Sequence, residues 1–135
     1  MKDIIKKILR ENVDKVLYSA VVLDEKSRNI LLERFKSVIP NDWKTIAHHM
    51  TIAFGKGVDT PEDLGREVTL KVIELGMSDM AIAARVEGYP SKNEVPHITL
   101  AINSNGGKPF MSNRITDWEP IQPLNVYGTV TNITK

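Results

Sequence analysis

A compact α+β domain is the fold that the sequence predicts, on the order of its elements, its size and its composition. The apolar pattern gives a helix, a strand, a second helix and then mostly strands. The 135 residues suit one domain over 1–135 with no linker and no low-complexity stretch. With 41% hydrophobic and 26% charged residues, the chain has the balance of a soluble globular protein.

Each element has its own warrant. Residues 3–12 put Ile4, Ile5, Ile8 and Leu9 on one helical stripe with Lys6, Lys7 and Arg10 opposite, an amphipathic helix lying on a core. Residues 16–23, rich in β-branched and aromatic side chains, read as a buried strand. Asp24 is an N-cap for a helix at 25–39, where Leu31, Phe35 and Val38 share a face and Pro40 is the stop. A strand follows at 44–54 and ends at Gly55-Lys56-Gly57. Thr60 and Pro61 open a turn or two of helix before Gly65. Residues 67–75 and 80–87 are two strands joined around Gly76-Met77-Ser78-Asp79. The remaining elements are a strand at 95–103, a Gly/Asn-rich loop at 103–107, a short helix at 109–117 and a last strand at 124–133.

Composition excludes several function classes. Lys and Arg number 18 against 17 for Asp and Glu, a net charge of +1, so nucleic acid is not bound by bulk charge and counterion release alone. The absence of cysteine removes disulfides, thiolate zinc sites and cysteine nucleophiles. The N-terminus has no apolar stretch of the signal-peptide kind, and no run approaches the ~20 apolar residues of a membrane span. A cytoplasmic location without membrane association is the expectation.

One feature stands above this background. Residues 49–54 read His-Met-Thr-Ile-Ala-Phe and residues 97–102 read His-Ile-Thr-Leu-Ala-Ile, so two of the three histidines head the same six-residue pattern. Strand alternation puts His49, Thr51 and Ala53 on one face with Met50, Ile52 and Phe54 on the other, and sorts residues 97–102 likewise. Each strand then offers an imidazole, a hydroxyl and a small residue that leaves room for a ligand. Two imidazoles can share general base and general acid work around one phosphorus. Two threonine hydroxyls can hold non-bridging phosphate oxygens. Both strands run into Gly/Lys loops, Gly55-Lys56-Gly57 and Gly106-Gly107-Lys108, whose backbone N–H groups and lysines could approach a phosphate.

These two motifs resemble those of the 2H phosphoesterases, which carry paired His-x-Thr/Ser motifs on strands facing each other across a cleft. The stretches 43–49 and 106–119 resemble the cyclic phosphodiesterase of fungal tRNA ligases and related RNA-repair proteins. The resemblance implies a two-lobed α+β (LigT-like) fold, with antiparallel sheets, a central cleft and helices on the outside. It implies His49 and His97 as the catalytic pair, Thr51 and Thr99 as phosphate holders, and no metal or other cofactor. The implied substrate is a 2′,3′-cyclic phosphate at an RNA end or on a small nucleotide, hydrolysed to a 2′-phosphate. Superfamily members that cut cyclic or 2′-5′-linked oligonucleotide messengers supply a second reading, and a non-catalytic RNA-end binding module a third. A monomer is expected, and an RNA-repair role would place separate kinase and ligase proteins beside it.

Other residues have two readings each. Tyr18 either stacks on a base or bonds a phosphate, or anchors core to surface. Tyr89, Trp43 and Trp118 have the same choice, and anchoring is preferred for the tryptophans. Ser112 and Arg114 either hold the phosphate or flanking nucleotide, or form an ordinary helix N-terminal turn. Lys56 and Lys108 are phosphate contacts or solvated surface. Strand parity sends His48 to the face opposite His49 as a structural residue, and Glu94 reads as a loop charge.

Overall fold

The computed structural model describes residues 16–134, so the helix expected at 3–12 lies outside the described residues. Seven strands are present: β1 (Val16–Leu23), β2 (Lys44–Thr45), β3 (His49–Phe54), β4 (Glu67–Met77), β5 (Ala81–Glu87), β6 (His97–Ile102) and β7 (Trp118–Thr134). One α-helix, α1 (Glu25–Arg34), and two 3-10 helices, Pro61–Asp63 and Pro109–Arg114, complete the described chain. No helix among the described residues is long and apolar enough to cross a membrane.

The strands pair in the order β6-β3-β1-β7-β4-β5, and β5 pairs back onto β6. All these pairings are antiparallel. The sheet therefore closes into a six-stranded barrel, with β2 added on β6 beside β3. This corrects the expected two-lobed α+β fold: among the described residues a single closed barrel carries one α-helix, with no second lobe and no cleft between lobes. Two features account for it. From residue 44 onward strands succeed one another, and the connections between them form only the 3-10 helices Pro61–Asp63 and Pro109–Arg114. The 17-residue β7 pairs with β1 over Gly128–Thr134 and with β4 over Trp118–Thr129. It thereby joins in one wall what two lobes would hold apart, and closure leaves no long unpaired edge.

Several boundaries differ from the sequence reading, three of them in the helices and the last strand. The helix expected at 25–39 is capped as predicted, with Asp24 Oδ1 accepting from the Ser27 N–H at 2.7 Å, but it ends at Arg34. Beyond it, Lys36 and Val38 donate to carbonyls three residues back, the tightened turns that commonly finish a helix. The expected helix at 109–117 is the six-residue 3-10 helix Pro109–Arg114. The last strand starts at Trp118 rather than 124. Pro120 and Pro123 hid its first half, and pairing with β4 skips from Leu124 to Pro120, the irregularity a strand proline requires.

The principal buried cluster takes Val21, Met50, Leu70, Val86, Ile98, Leu100 and Val126 from six strands, and Leu31 and Phe35 pack with it. Trp43 packs at its margin. A second cluster lies on the outer side of β5, where Ala81 and Ala83 meet Ile115, Met111 and Trp118. Gly76 belongs to this contact, because a Cβ there would fall 2.5 Å from the Trp118 ring. This cluster seats the 3-10 helix Pro109–Arg114 against the barrel wall, with the Trp118 Nε1–H donating to the Ile115 carbonyl at 3.1 Å.

Candidate active site

The motif strands β3 and β6 are neighbours in the barrel wall, paired through Met50 and Ile98. Both of those side chains are fully buried. The opposite face of the same strands carries His49, Thr51, His97 and Thr99 to one cavity of about 350 Å³. Tyr18 of β1 and Phe110 of the 3-10 helix line it as well. The two motifs thus meet on one outer wall of a barrel.

A β-bulge recurs at the same place in both motifs. On β3 the partners of Ser19 and Ala20 are Ala53 and Thr51, which leaves Ile52 as an extra residue. On β6 the partners of Ile82 and Ala83 are Ala101 and Thr99, which leaves Leu100 extra. Each bulge drives its extra apolar side chain into the main core, where Ile52 and Leu100 are buried. Bulges re-aim the residues that follow, and strict alternation fails after Thr51. Ala53 is buried with the core and does not line the cavity, contrary to the small-residue role expected for it. Phe54 instead turns to the cavity. It is 83% exposed and stacks on Tyr18 with ring centroids 5.9 Å apart and planes 13° from parallel.

His97 is buried, and its Nδ1 lies 2.7 Å from the Val95 carbonyl oxygen. A carbonyl only accepts, so Nδ1 donates and the proton-free nitrogen of neutral His97 is Nε2. Burial lowers its pKa below the usual imidazole value, against the opposing effect of the Val95 bond. The Thr99 hydroxyl is fixed from behind by the Ser112 hydroxyl at 2.8 Å. Ser112 is itself buried and stands behind Thr99 rather than at the cavity surface.

His49 has three ring neighbours. Tyr18 lies 5.0 Å away between ring centroids, the His48 Nδ1 is 2.9 Å from the His49 Nδ1, and His97 lies across the site. Burial, then the charges of His48 and His97, push His49 down to about 4, which leaves it neutral near pH 7. Burial raises the Tyr18 phenol, so Tyr18 stays a neutral donor.

His48 is a correction to strand parity. The expected strand 44–54 is broken: the Ile46 and Ala47 N–H groups bond to β6 carbonyls, while the His48 carbonyl accepts from Leu23 of β1. Ala47 makes the crossing with φ of +44°, a left-handed conformation that costs a non-glycine residue about 1–2 kcal/mol. His48 therefore precedes β3, and its exposed ring reaches His49 instead of the opposite face.

The remaining predicted residues fall outside the cavity lining. Lys56 pairs with Asp59 at 2.8 Å, and Lys108 is exposed on the loop before Pro109. The Arg114 guanidinium lies 5.2 Å from the Phe110 ring centre, at the rim. The glycine loops do not offer all their donors, since the Gly55 N–H bonds to Leu17 and the Gly107 N–H to Asn103. Tyr89 donates to Asp63 at 2.8 Å and lines a separate, larger hollow of about 680 Å³ that contains none of the four motif histidine and threonine side chains. Glu94 is exposed. Sequence reasoning missed Phe54, Phe110, Asn93 and Asn113 as lining residues. For Phe54 the sequence gives no signal of the bulge, and for the others only their closeness to the second motif pointed there.

No curated protein matches the chain. Residues 35–125 match the family of the fungal tRNA ligase phosphodiesterase domain. That match takes in both His-x-Thr motifs and the loop that fixes Thr99. It spans well over half of the 135 residues, and the chain accordingly belongs to this family and to its cyclic phosphodiesterase type of activity.

Proposed function

We propose that the protein hydrolyses 2′,3′-cyclic phosphates at RNA ends or on nucleotides to 2′-phosphates, by two-histidine acid–base catalysis without a metal. The observation that carries this reading is the tie between His97 Nδ1 and the Val95 carbonyl, in a cavity shared with His49 and both threonines. Neutral His97 has its lone pair on Nε2 and is the general base that takes a proton from water. As water attacks phosphorus and the bond to the ribose 3′ oxygen breaks, His49 gives that oxygen its Nε2 proton. Thr51 and Thr99 hydroxyls donate to the non-bridging oxygens and hold the phosphorus in line. Stacked on Tyr18, Phe54 offers a flat apolar face for the base. The four motif groups are imidazoles and neutral hydroxyls, a set suited to moving protons and without the carboxylate oxygens that Mg²⁺ or Ca²⁺ takes as ligands.

In this reading the chain acts as a monomer, and separate kinase and ligase proteins of RNA repair process the ends it makes. The test is product analysis on a short RNA ending in a 2′,3′-cyclic phosphate, in EDTA, beside His49→Ala and His97→Ala. Wild type should yield a 2′-phosphate end, and each variant should lose at least about 100-fold in turnover, the low end for a general acid or base. Variants within a few-fold of wild type would refute the mechanism. Turnover of 2′-5′ or cyclic oligonucleotides with RNA ends untouched would reassign the substrate, and tight binding without turnover would make this an RNA-end binding module.

A further inference from the structure

The exposed histidine beside the catalytic pair does something that the two-histidine scheme leaves out. His48 stands outside β3, placed by the left-handed turn at Ala47, and its Nδ1 is 2.9 Å from the Nδ1 of His49. One of these two nitrogens must carry the hydrogen and the other must accept it. If His49 donated, its neutral form would be bare at Nε2, and the site would hold two bases and no acid, because His97 is already bare at Nε2. The division of labour requires the reverse polarity.

We infer that His48 is a positioning residue that donates its Nδ1 hydrogen to His49, fixes His49 as the Nε2–H tautomer and passes it a proton during turnover. This rests on the hydrolytic reading above. His48 enters the step as an imidazolium. As the leaving ribose oxygen takes the Nε2 proton of His49, the His49 Nδ1 takes the Nδ1 proton of His48. His49 ends neutral with its proton on Nδ1, and His48 ends neutral. The site resets when the His49 Nε2 takes a proton from water and its Nδ1 proton returns to His48, while His97 releases to water the proton it took from the nucleophile. The relay removes the need for a cationic His49, which the burial of that ring and the nearby charges oppose. It equally avoids an imidazolate at His49, which a neutral acid acting alone would become. The groups facing His49 are Tyr18 from β1, His97 from β6 and His48 itself.

The test combines a tautomer measurement with kinetics, on the full chain labelled with ¹⁵N-histidine. Long-range ¹H–¹⁵N spectra should show neutral His49 protonated at Nε2 in wild type, and that preference should be lost in His48→Ala. On a 2′,3′-cyclic nucleotide, His48→Ala should lose about 10- to 100-fold in kcat, part of what general acid catalysis contributes, with KM unchanged. Added imidazole should restore it. His48→Gln can still donate a hydrogen bond but cannot relay, so it should keep the tautomer, stay slow and resist rescue. A His49 protonated at Nδ1 in wild type overturns the inference, as does a kcat within twofold of wild type in both variants. If wild type fails to turn over the nucleotide, the hydrolytic reading falls, and the tautomer spectra still decide whether His48 fixes His49.

Discussion

At the scale of single residues, the site is organised by what stands behind each group that would meet the substrate. His97 is held by a backbone carbonyl, Thr99 by the buried Ser112 hydroxyl and His49 by His48. Burial is the price of this order for the imidazoles, and it is measurable. Burial and the neighbouring histidine charges hold the folded pKa of His49 near 4, against 6.5 for the free side chain. Above pH 6.5 the ring is neutral both folded and unfolded and contributes no pH dependence. As pH falls from 6.5 toward 4 only the unfolded chain gains the proton, so stability drops across that window. The full difference is up to about 3 kcal/mol. Urea unfolding at pH 7 and pH 4.5 should show a smaller pH loss in His49→Gln than in wild type, and equal losses would refute the shift. For His97, whose pKa is also lowered by burial, the consequence is kinetic. The acid limb of kcat/KM, which reports protonation of the base in the free enzyme, should lie below pH 6.5.

At the scale of elements, the paired bulges decide what the motif strands present. Without the bulge at Ile52, Phe54 would sit on the core face, where alternation places it. With it, Phe54 stands open beside the cavity at 83% exposure, an apolar ring whose outer face is free for a base. Phe54→Ala should therefore leave folding stability and kcat nearly unchanged. It should raise KM for a nucleotide substrate by the worth of one stacked base, about 1–3 kcal/mol or roughly 5- to 150-fold. An unchanged KM would remove Phe54 from recognition. This is also where sequence reading stops. His49, Thr51, His97 and Thr99 were legible because period-2 alternation holds up to the threonine of each motif. Phe54, Ala53 and His48 were misplaced because a bulge and a left-handed alanine each shift parity by local backbone geometry. Such geometry is set by pairing partners 25 or more positions away: Leu23 bonds to the His48 carbonyl, and Ser19 faces Ala53 across β1–β3. The strands themselves were largely legible from β-branched runs, except where Pro120 and Pro123 masked the first half of β7.

At the scale of the whole molecule, closure of the barrel is the feature that no local pattern could predict, because it depends on β5 returning to β6. The β5–β6 seam runs from Ala81–Ile102 to Arg85–His97, so half of the candidate site is built on the closing strand. In a two-lobed protein β6 would border a cleft and could open without the rest. In a closed barrel, opening β6 must break pairings on both of its sides, against β3 and β5, and expose a core shared by six strands. The amides of β6 that bond to β5 should therefore exchange with solvent only on global unfolding, as slowly as those between β1 and β7. Ile98 sharpens the test, since it is fully buried and pairs with Met50 on one side and Ala84 on the other. Ile98→Ala should cost about 2–5 kcal/mol in urea unfolding. It should lower the protection of the β1–β7 amides by the same free energy as that of β6, because both strands report one cooperative opening. Loss of protection confined to β6 would show that the seam opens by itself and that the site sits on a separable flap of the sheet.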